Sequence, residues 1–246
     1  MTPTLVLAAH GTRAEAGERT LSDLAGVVRA ARRRHRVELS YLEISRPLLA
    51  DVLSATPGRA VLGSAACAVP GPVVVVPLLL TGGYHVRVDL PSVIAEHRPD
   101  ALVAPPLGPH RLLTTALARR LAHAGLRSAD AVVLGAAGSS DPAALADVRA
   151  AAHQLAVRLS RPVTAAFASG GAPSLDEALE RVRPGPATRV AIASYLLAPG
   201  FFHDRLVVAG ADLVSEPLGA DPDVAALVWR RFDETAAALA GRAVSA

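Results

Sequence analysis

Short, uninterrupted apolar runs alternate along the chain with longer stretches in which apolar residues recur every three or four positions. "TLVLAAH" (4–10) has no polar residue from Leu5 to Ala9, as expected of a strand buried on both faces of a parallel sheet. The next stretch, "AEAGERTLSDLAGVVRAARRRH" (14–35), sets Leu21, Leu24 and Val28 at helical spacing with charges between them. "VELSYLEI" (37–44) reads as a strand, and "RPLLADVLSA" (46–55) as a helix with Pro47 suited to its first turn. The most hydrophobic run, "GPVVVVPLLL" (71–80), is the expected central strand. "LPSVIAEHRP" (90–99) predicts a helix, "DALVAPPLG" (100–108) a short strand, and "HRLLTTALARRLAHAG" (110–125) a helix closed by Gly125. This alternation predicts an α/β fold with parallel strands.

The same order then recurs. "LVLAAHGTR" (5–13) lies over "VVLGAAGSS" (132–140), and "YLEISRPLLADVL" (41–53) over "FASGGAPSLDEAL" (167–179) with Pro47 on Pro173. "PLLLTGGYHVR" (77–87) lies over "YLLAPGFFHDR" (195–205), placing Gly82 on Gly200, His85 on His203 and Arg87 on Arg205. "LVAPPLGP" (102–109) lies over "LVSEPLGA" (213–220). An ordered set of matches through the whole chain is the signature of an internal duplication. It predicts two similar three-layer α/β/α domains, residues 1–125 and 126–246, joined at "AGLRSAD" and facing each other across a cleft, a common place for ligands.

Composition narrows the chemistry. With 51% hydrophobic and 3% aromatic residues in 246, the core must be built from Ala, Val and Leu. All 25 basic residues are arginine, and the net charge is +3. The one dense block, "ARRRHR" (31–36), reads as a solvated helix end whose cations meet the negative end of the helix dipole. No aromatic platform accompanies it, so nucleic-acid binding is not expected, whereas dispersed arginines suit an anionic small ligand. The single cysteine, Cys67, excludes an internal disulfide and any multi-cysteine zinc site, and reads as a small core residue. The chain enters its first strand without a charged leader, and no apolar stretch approaches the ~18 residues of a membrane span. A soluble cytoplasmic monomer, away from membranes, is the expectation.

Ligands of open parallel sheets bind outside the carboxyl ends of the strands. His10, Glu43 and His85 all fall at such ends in the first repeat, far apart in sequence yet on one predicted edge. Two imidazoles and a carboxylate suit Co2+, Fe2+, Ni2+ or Zn2+ and leave coordination positions open. The second repeat has Ala137 and Ser169 in place of His10 and Glu43, so the folding of the unit does not require those groups. Any one histidine at a strand end also serves as a cap, and Gly11, Gly82 and Gly83 also serve as turn formers. Glu43, between Leu42 and Ile44, has no such structural use, because burying an unpaired charge is expensive. His35, His97, His123 and His153 sit among charges in helical stretches and read as surface; His110, after "PLGP", is a further candidate for the cleft.

Together "LVLAAHGTR", "YLEISRPLL", "PLLLTGGYHVRVDLP" and "ASYLLAPGFFHDRL" resemble the sirohydrochlorin chelatases, the ATP-independent class II chelatases of sirohaem and cobalamin biosynthesis, in their long two-domain form. The resemblance implies insertion of Fe2+ or Co2+ into sirohydrochlorin, an octacarboxylate tetrapyrrole, within the cleft. It implies His10 and His85 as catalytic and metal-binding histidines, with Glu43 as a third metal ligand and no organic cofactor. The ligand's carboxylates would suit Arg13, Arg46, Arg87 and Arg205, whose forks bind carboxylates bidentately. Gly82 and Gly83, like Gly200, would let backbone approach a flat macrocycle, and His203 would reach in from the second repeat. The absence of a phosphate-cradling "GxxxxGK[ST]" loop agrees with a reaction that uses no ATP. A non-catalytic carrier of metal or tetrapyrrole is the alternative. A metal-dependent hydrolase is less well matched, since no further general base can be placed beside the metal.

Overall fold

Largely apolar runs become the inner parallel strands, buried along nearly their whole length, while more polar runs such as VELSY and VTAAF pair at the sheet edges. In the computed structural model, which describes residues 2–55, 72–83, 85–183, 185 and 189–244, these strands make two sheets. Cys67 lies outside the described residues. The first sheet has the order β2-β1-β3-β4, from β1 (Thr4–Ala9), β2 (Val37–Tyr41), β3 (Val73–Pro77) and the short β4 (Leu102–Val103), all paired in parallel. The run expected to be central does lie inside the sheet, and Val73 to Val76 are each 0% exposed. The second sheet repeats the order as β6-β5-β7-β8, from β5 (Ala131–Ala136), β6 (Val163–Phe167), β7 (Val190–Tyr195) and β8 (Leu213–Val214). The helices are α1 (Glu15–Ala31), α2 (Leu49–Ala55), α3 (Leu90–His97) and α4 (Arg111–His123) in the first half. Those of the second half are α5 (Pro142–Leu159), α6 (Leu175–Val182), α7 (Phe201–Val207) and α8 (Pro222–Val244).

The duplication seen in sequence is carried down to single hydrogen bonds. Gly11 has φ 103° and Gly138 φ 101°, and a Cβ would collide with the carbonyl oxygen of Glu43 in the first case and with that of Ser169, and also Gly170, in the second. The Leu42 N–H donates to the Ala9 carbonyl at 2.8 Å, as Ala168 does to Ala136 at 2.9 Å. The Tyr41 N–H donates to the Pro47 carbonyl at 3.0 Å and Phe167 to Pro173 at 3.1 Å.

The last helix of each half crosses over. α4 follows β4 in the chain but packs on β7, whereas α8 follows β8 and packs on β3, β4 and α1. Strand side chains alternate between faces, and the alternation sorts the core. Leu5 and Leu7 join Val132, Leu134, Leu117, Leu121 and Trp229 in one cluster shared by both sheets. Val6 and Ala8 face a separate layer with Leu49, Leu53 and Leu90, and Val133 faces its counterpart with Leu175 and Leu179.

Two expectations are corrected here. The block at 31–36 is not simply solvated. Arg32 lies 4.5 Å above the Trp229 ring centre and pairs with Asp233 at 2.6 Å, while His35 meets Trp229 and Phe232 edge-on at 5.0 and 5.7 Å. An aromatic pair on α8 therefore takes up the end of α1, and the Trp229 indole N–H donates to the Val28 carbonyl at 3.0 Å. His97 is half-buried beside Ser54, at 3.4 Å, whereas His123 and His153 are exposed as expected. At the link between the halves, Arg189 grips the buried Asp130 at 2.7 Å and lowers its pKa to about 2.

His110 caps α4 and does not line the cleft: its Nδ1 accepts the Leu112 N–H at 3.2 Å. Burial, then Arg231, Arg230 and Arg111, hold its pKa below the usual imidazole value. The unfolded chain therefore binds that proton more readily, so this contribution is complete above about pH 6.5 and shrinks as pH falls below it. Protonation at Nδ1 would also remove the cap. His110→Asn, which keeps a capping oxygen without titrating, should flatten the loss of stability between about pH 7 and 5 in urea melts. An unchanged pH slope would remove His110 as its source.

Candidate metal centre

The site begins with a missing side chain. β1 ends at Ala9, and Gly11 turns in the left-handed region, so the Glu43 carbonyl can press against its Cα where a Cβ would collide. The His10 carbonyl accepts the Glu43 N–H at 3.1 Å. Ser45, 3% exposed, stitches the same two loops, with its Oγ accepting the Thr12 N–H at 3.0 Å and donating to the Thr12 carbonyl at 3.1 Å. Between Glu43 and Ser45, Ile44 is held at φ 67°, a conformation that costs a non-glycine residue about 1–3 kcal/mol and persists only where its surroundings fix it. Its side chain is 52% exposed and lines the cleft.

These contacts bring His10 Nε2 to 3.2 Å from Glu43 Oε1, with side-chain exposures of 39% and 54%. An imidazole nitrogen and a carboxylate oxygen this close, both reachable from solvent, can share one divalent ion. The second half makes the same turn with Ala137 and Ser169, which offer neither an imidazole nor a carboxylate.

His85 lies eight residues beyond the end of β3, not at the strand end itself. Its backbone opens a single π-helical turn, His85–Asp89, that runs into α3; such turns are frequent at functional sites. The His85 side chain lies outside the described residues. Among those described, two of the three expected ligands meet, and no group of three His, Cys, Asp or Glu does.

The second domain holds the segment that leads to His85. The Tyr195 hydroxyl donates to the Leu80 carbonyl at 3.2 Å, Asp147 Oδ2 accepts the Gly82 N–H at 2.9 Å, and Asp141 Oδ2 stands 3.4 Å from Arg87. Burial, aided by the Asp147 charge, pushes the Tyr195 phenol up, so it stays a neutral donor. Gly108 is required beside it, since a Cβ there would strike both that hydroxyl and the Leu80 carbonyl. Sequence reasoning missed Asp141, Asp147, Ser45, Ile44 and Tyr195. The one available signal was a tyrosine closing the apolar run "VAIASY", where a buried hydroxyl needs a partner.

The two strand-end edges enclose a cleft of about 940 Å³ lined from both domains. Arg13, Gly83 and His203 line it. His203 is 9% exposed and its Nε2 stands 3.3 Å from the Ser215 carbonyl. Arg46 pairs with Asp51 at 3.2 Å, Arg87 faces Asp141 and Arg205 lies against the Phe201 ring, and all three stand outside the lining. Gly82 is also outside it, with its N–H spent on Asp147.

The whole architecture has counterparts. SirB from Bacillus subtilis, solved with Fe3+, superposes with a TM-score of 0.74 at 23% identity over 98% of each chain. The sirohydrochlorin chelatase SirB from Bacillus subtilis subspecies spizizenii, in complex with cobalt, gives 0.71 at 23% identity over 98% of each. A multi-domain Deinococcus radiodurans protein with structural similarity to chelatases gives 0.69 at 22% identity, over 94% of this chain and 54% of its own. These likenesses establish the fold. Comparison with curated protein sequences gives no match. The CbiX family matches residues 4–124 and again 131–235, one match for each repeat. With both repeats matched and the family's motifs in their order, the chain belongs to the CbiX family, the chelatases that its sequence resembles.

Proposed function

We propose that the protein inserts Co2+ or Fe2+ into sirohydrochlorin without ATP, in the cleft between its two repeats, residues 1–125 and 126–246. The observation that carries this reading is the solvent-reachable His10–Glu43 pair, 3.2 Å apart at the strand-end edge beside a cleft of about 940 Å³. A cleft of this size is at the upper end for small-molecule sites, as a tetrapyrrole requires.

The metal is a substrate, so its site must bind and then release it. One imidazole and one carboxylate, with His85 as the further ligand, hold the ion less firmly than a closed four-ligand site and leave positions for the ring nitrogens. As the ion enters, two pyrrole N–H bonds break, the nitrogen lone pairs take the metal, and two protons leave. Once the ion has passed to the ring, the imidazole nitrogens of His10 and His85 that held it are free to accept those protons. The Glu43 carboxylate offsets the ion's charge and orients the His10 ring. Arg13, on the cleft wall, meets a peripheral carboxylate of the ligand.

The reaction calls for no organic cofactor. One chain supplies both walls of the cleft, so a monomer suffices. No helix among the described residues is long and apolar enough to cross a membrane.

Purified protein should accelerate the visible absorbance change of sirohydrochlorin with Co2+ or Fe2+, and a rate at background with both metals would overturn the reading in favour of a carrier. His10→Ala and His85→Ala should each lower kcat about 10²-fold or more, the range of a lost acid–base group, with the melting temperature kept. Wild-type rates in both would remove the histidines from the mechanism. Glu43→Gln, which keeps the shape but not the charge, should weaken Co2+ binding, and an unchanged Kd would show that the carboxylate does not touch the metal.

A further inference from the structure

The chain is poor in aromatic residues and hides five of the seven described. Tyr41, Phe167, Tyr195, Trp229 and Phe232 are each 4% exposed or less. Phe201 and Phe202 are the exceptions, at 67% and 37%, and both stand on the wall of the cleft. Their helix starts where it does because Gly200 takes φ 147°, a conformation open to glycine. That glycine touches the first domain: the position of its absent Cβ is 3.4 Å from Thr12 Oγ1, two residues beyond His10. Phe201 is therefore anchored next to the strand end that carries the metal pair.

The ring is also held in place. Phe202 meets it edge-on, with centroids 5.2 Å apart and planes at 74°, and the Arg205 guanidinium carbon lies 5.9 Å from its centroid. The first domain contributes Ile44 to the same cleft, an exposed apolar side chain kept in a strained backbone. Water-exposed apolar groups collected on a ligand-sized cleft mark a binding surface more than a solvated one.

We propose that Phe201, braced by Phe202 and Arg205, is the stacking platform for the tetrapyrrole macrocycle and sets the ring beside the His10–Glu43 pair. The proposal rests on the chelatase reading and names the group that recognises the flat face of its substrate. A conjugated macrocycle offers a wide apolar face that stacks, offset, on an aromatic ring. A cation beside that ring holds it by its π-cloud, as the Arg205 guanidinium does at 5.9 Å. Arg205 thus acts through the ring it braces, since it stands outside the cleft lining.

The test separates ring binding from metal binding. The full chain is titrated with metal-free sirohydrochlorin, followed by ring absorbance, and separately with Co2+. Phe201→Ala should raise the Kd for the metal-free ring about tenfold, the scale of a lost stacking contact, and leave the Co2+ Kd and the melting temperature unchanged. Phe201→Leu, apolar but unable to stack, should lose most of the same affinity. Wild-type ring affinity in Phe201→Ala, or in Phe201→Leu, would overturn the platform while leaving the chelatase reading in place. If the wild-type chain does not bind the metal-free ring, both fall together.

Discussion

The packing of α8 across β3 and β4, answered by α4 on β7, is the contact on which the cleft depends. Each half lacks one of its own covering helices and borrows the other's, so neither sheet can bury its inner face alone. The result is one inner core in which Leu5 and Leu7 share a cluster with Val132 and Leu134. Because that core fixes the two sheets against each other, their carboxyl edges meet at a set separation. Arg32 and His35 on Trp229, and Arg119 on Asp221 and Asp223, add polar ties to the same seam.

Within that frame the two repeats divide the labour. Both keep the glycine turn after the first strand, Gly11 and Gly138, and the backbone contact that it permits. The first keeps the imidazole and carboxylate that this contact aligns. The second has Ala137 and Ser169 there and presents other groups: Tyr195 and Asp147, which hold the Leu80–Gly82 backbone, and the exposed Phe201–Phe202 pair on the cleft wall. A duplicated scaffold thus presents different groups on its two facing strand-end edges.

Much of this was legible in the sequence. Continuous apolar runs marked the parallel strands, and the ordered repeat marked two sheets of one topology, because both depend on local periodicity. His10 and Glu43 were singled out by their places at two strand ends and their absence from the second repeat, and the fold brings them to 3.2 Å. The helix exchange was not legible: α4 and α8 carry apolar stripes that fit either sheet, and only three-dimensional packing chooses between them. Arg46 and Arg87 stand outside the cleft lining for a related reason. Long side chains at a strand-end motif can turn to a neighbouring carboxylate, as these do to Asp51 and Asp141. His110 drew attention as a strand-end histidine, yet the helix that follows it needs a cap, and a cap is what it supplies.

The central claim is that two equivalent turns hold one metal site. Calorimetric titration of the metal-free full chain with Co2+ tests it most directly. The account predicts one ion bound per chain in this site and none in His10→Ala. Two ions of similar affinity in the wild type, or a single ion that survives His10→Ala, would contradict it.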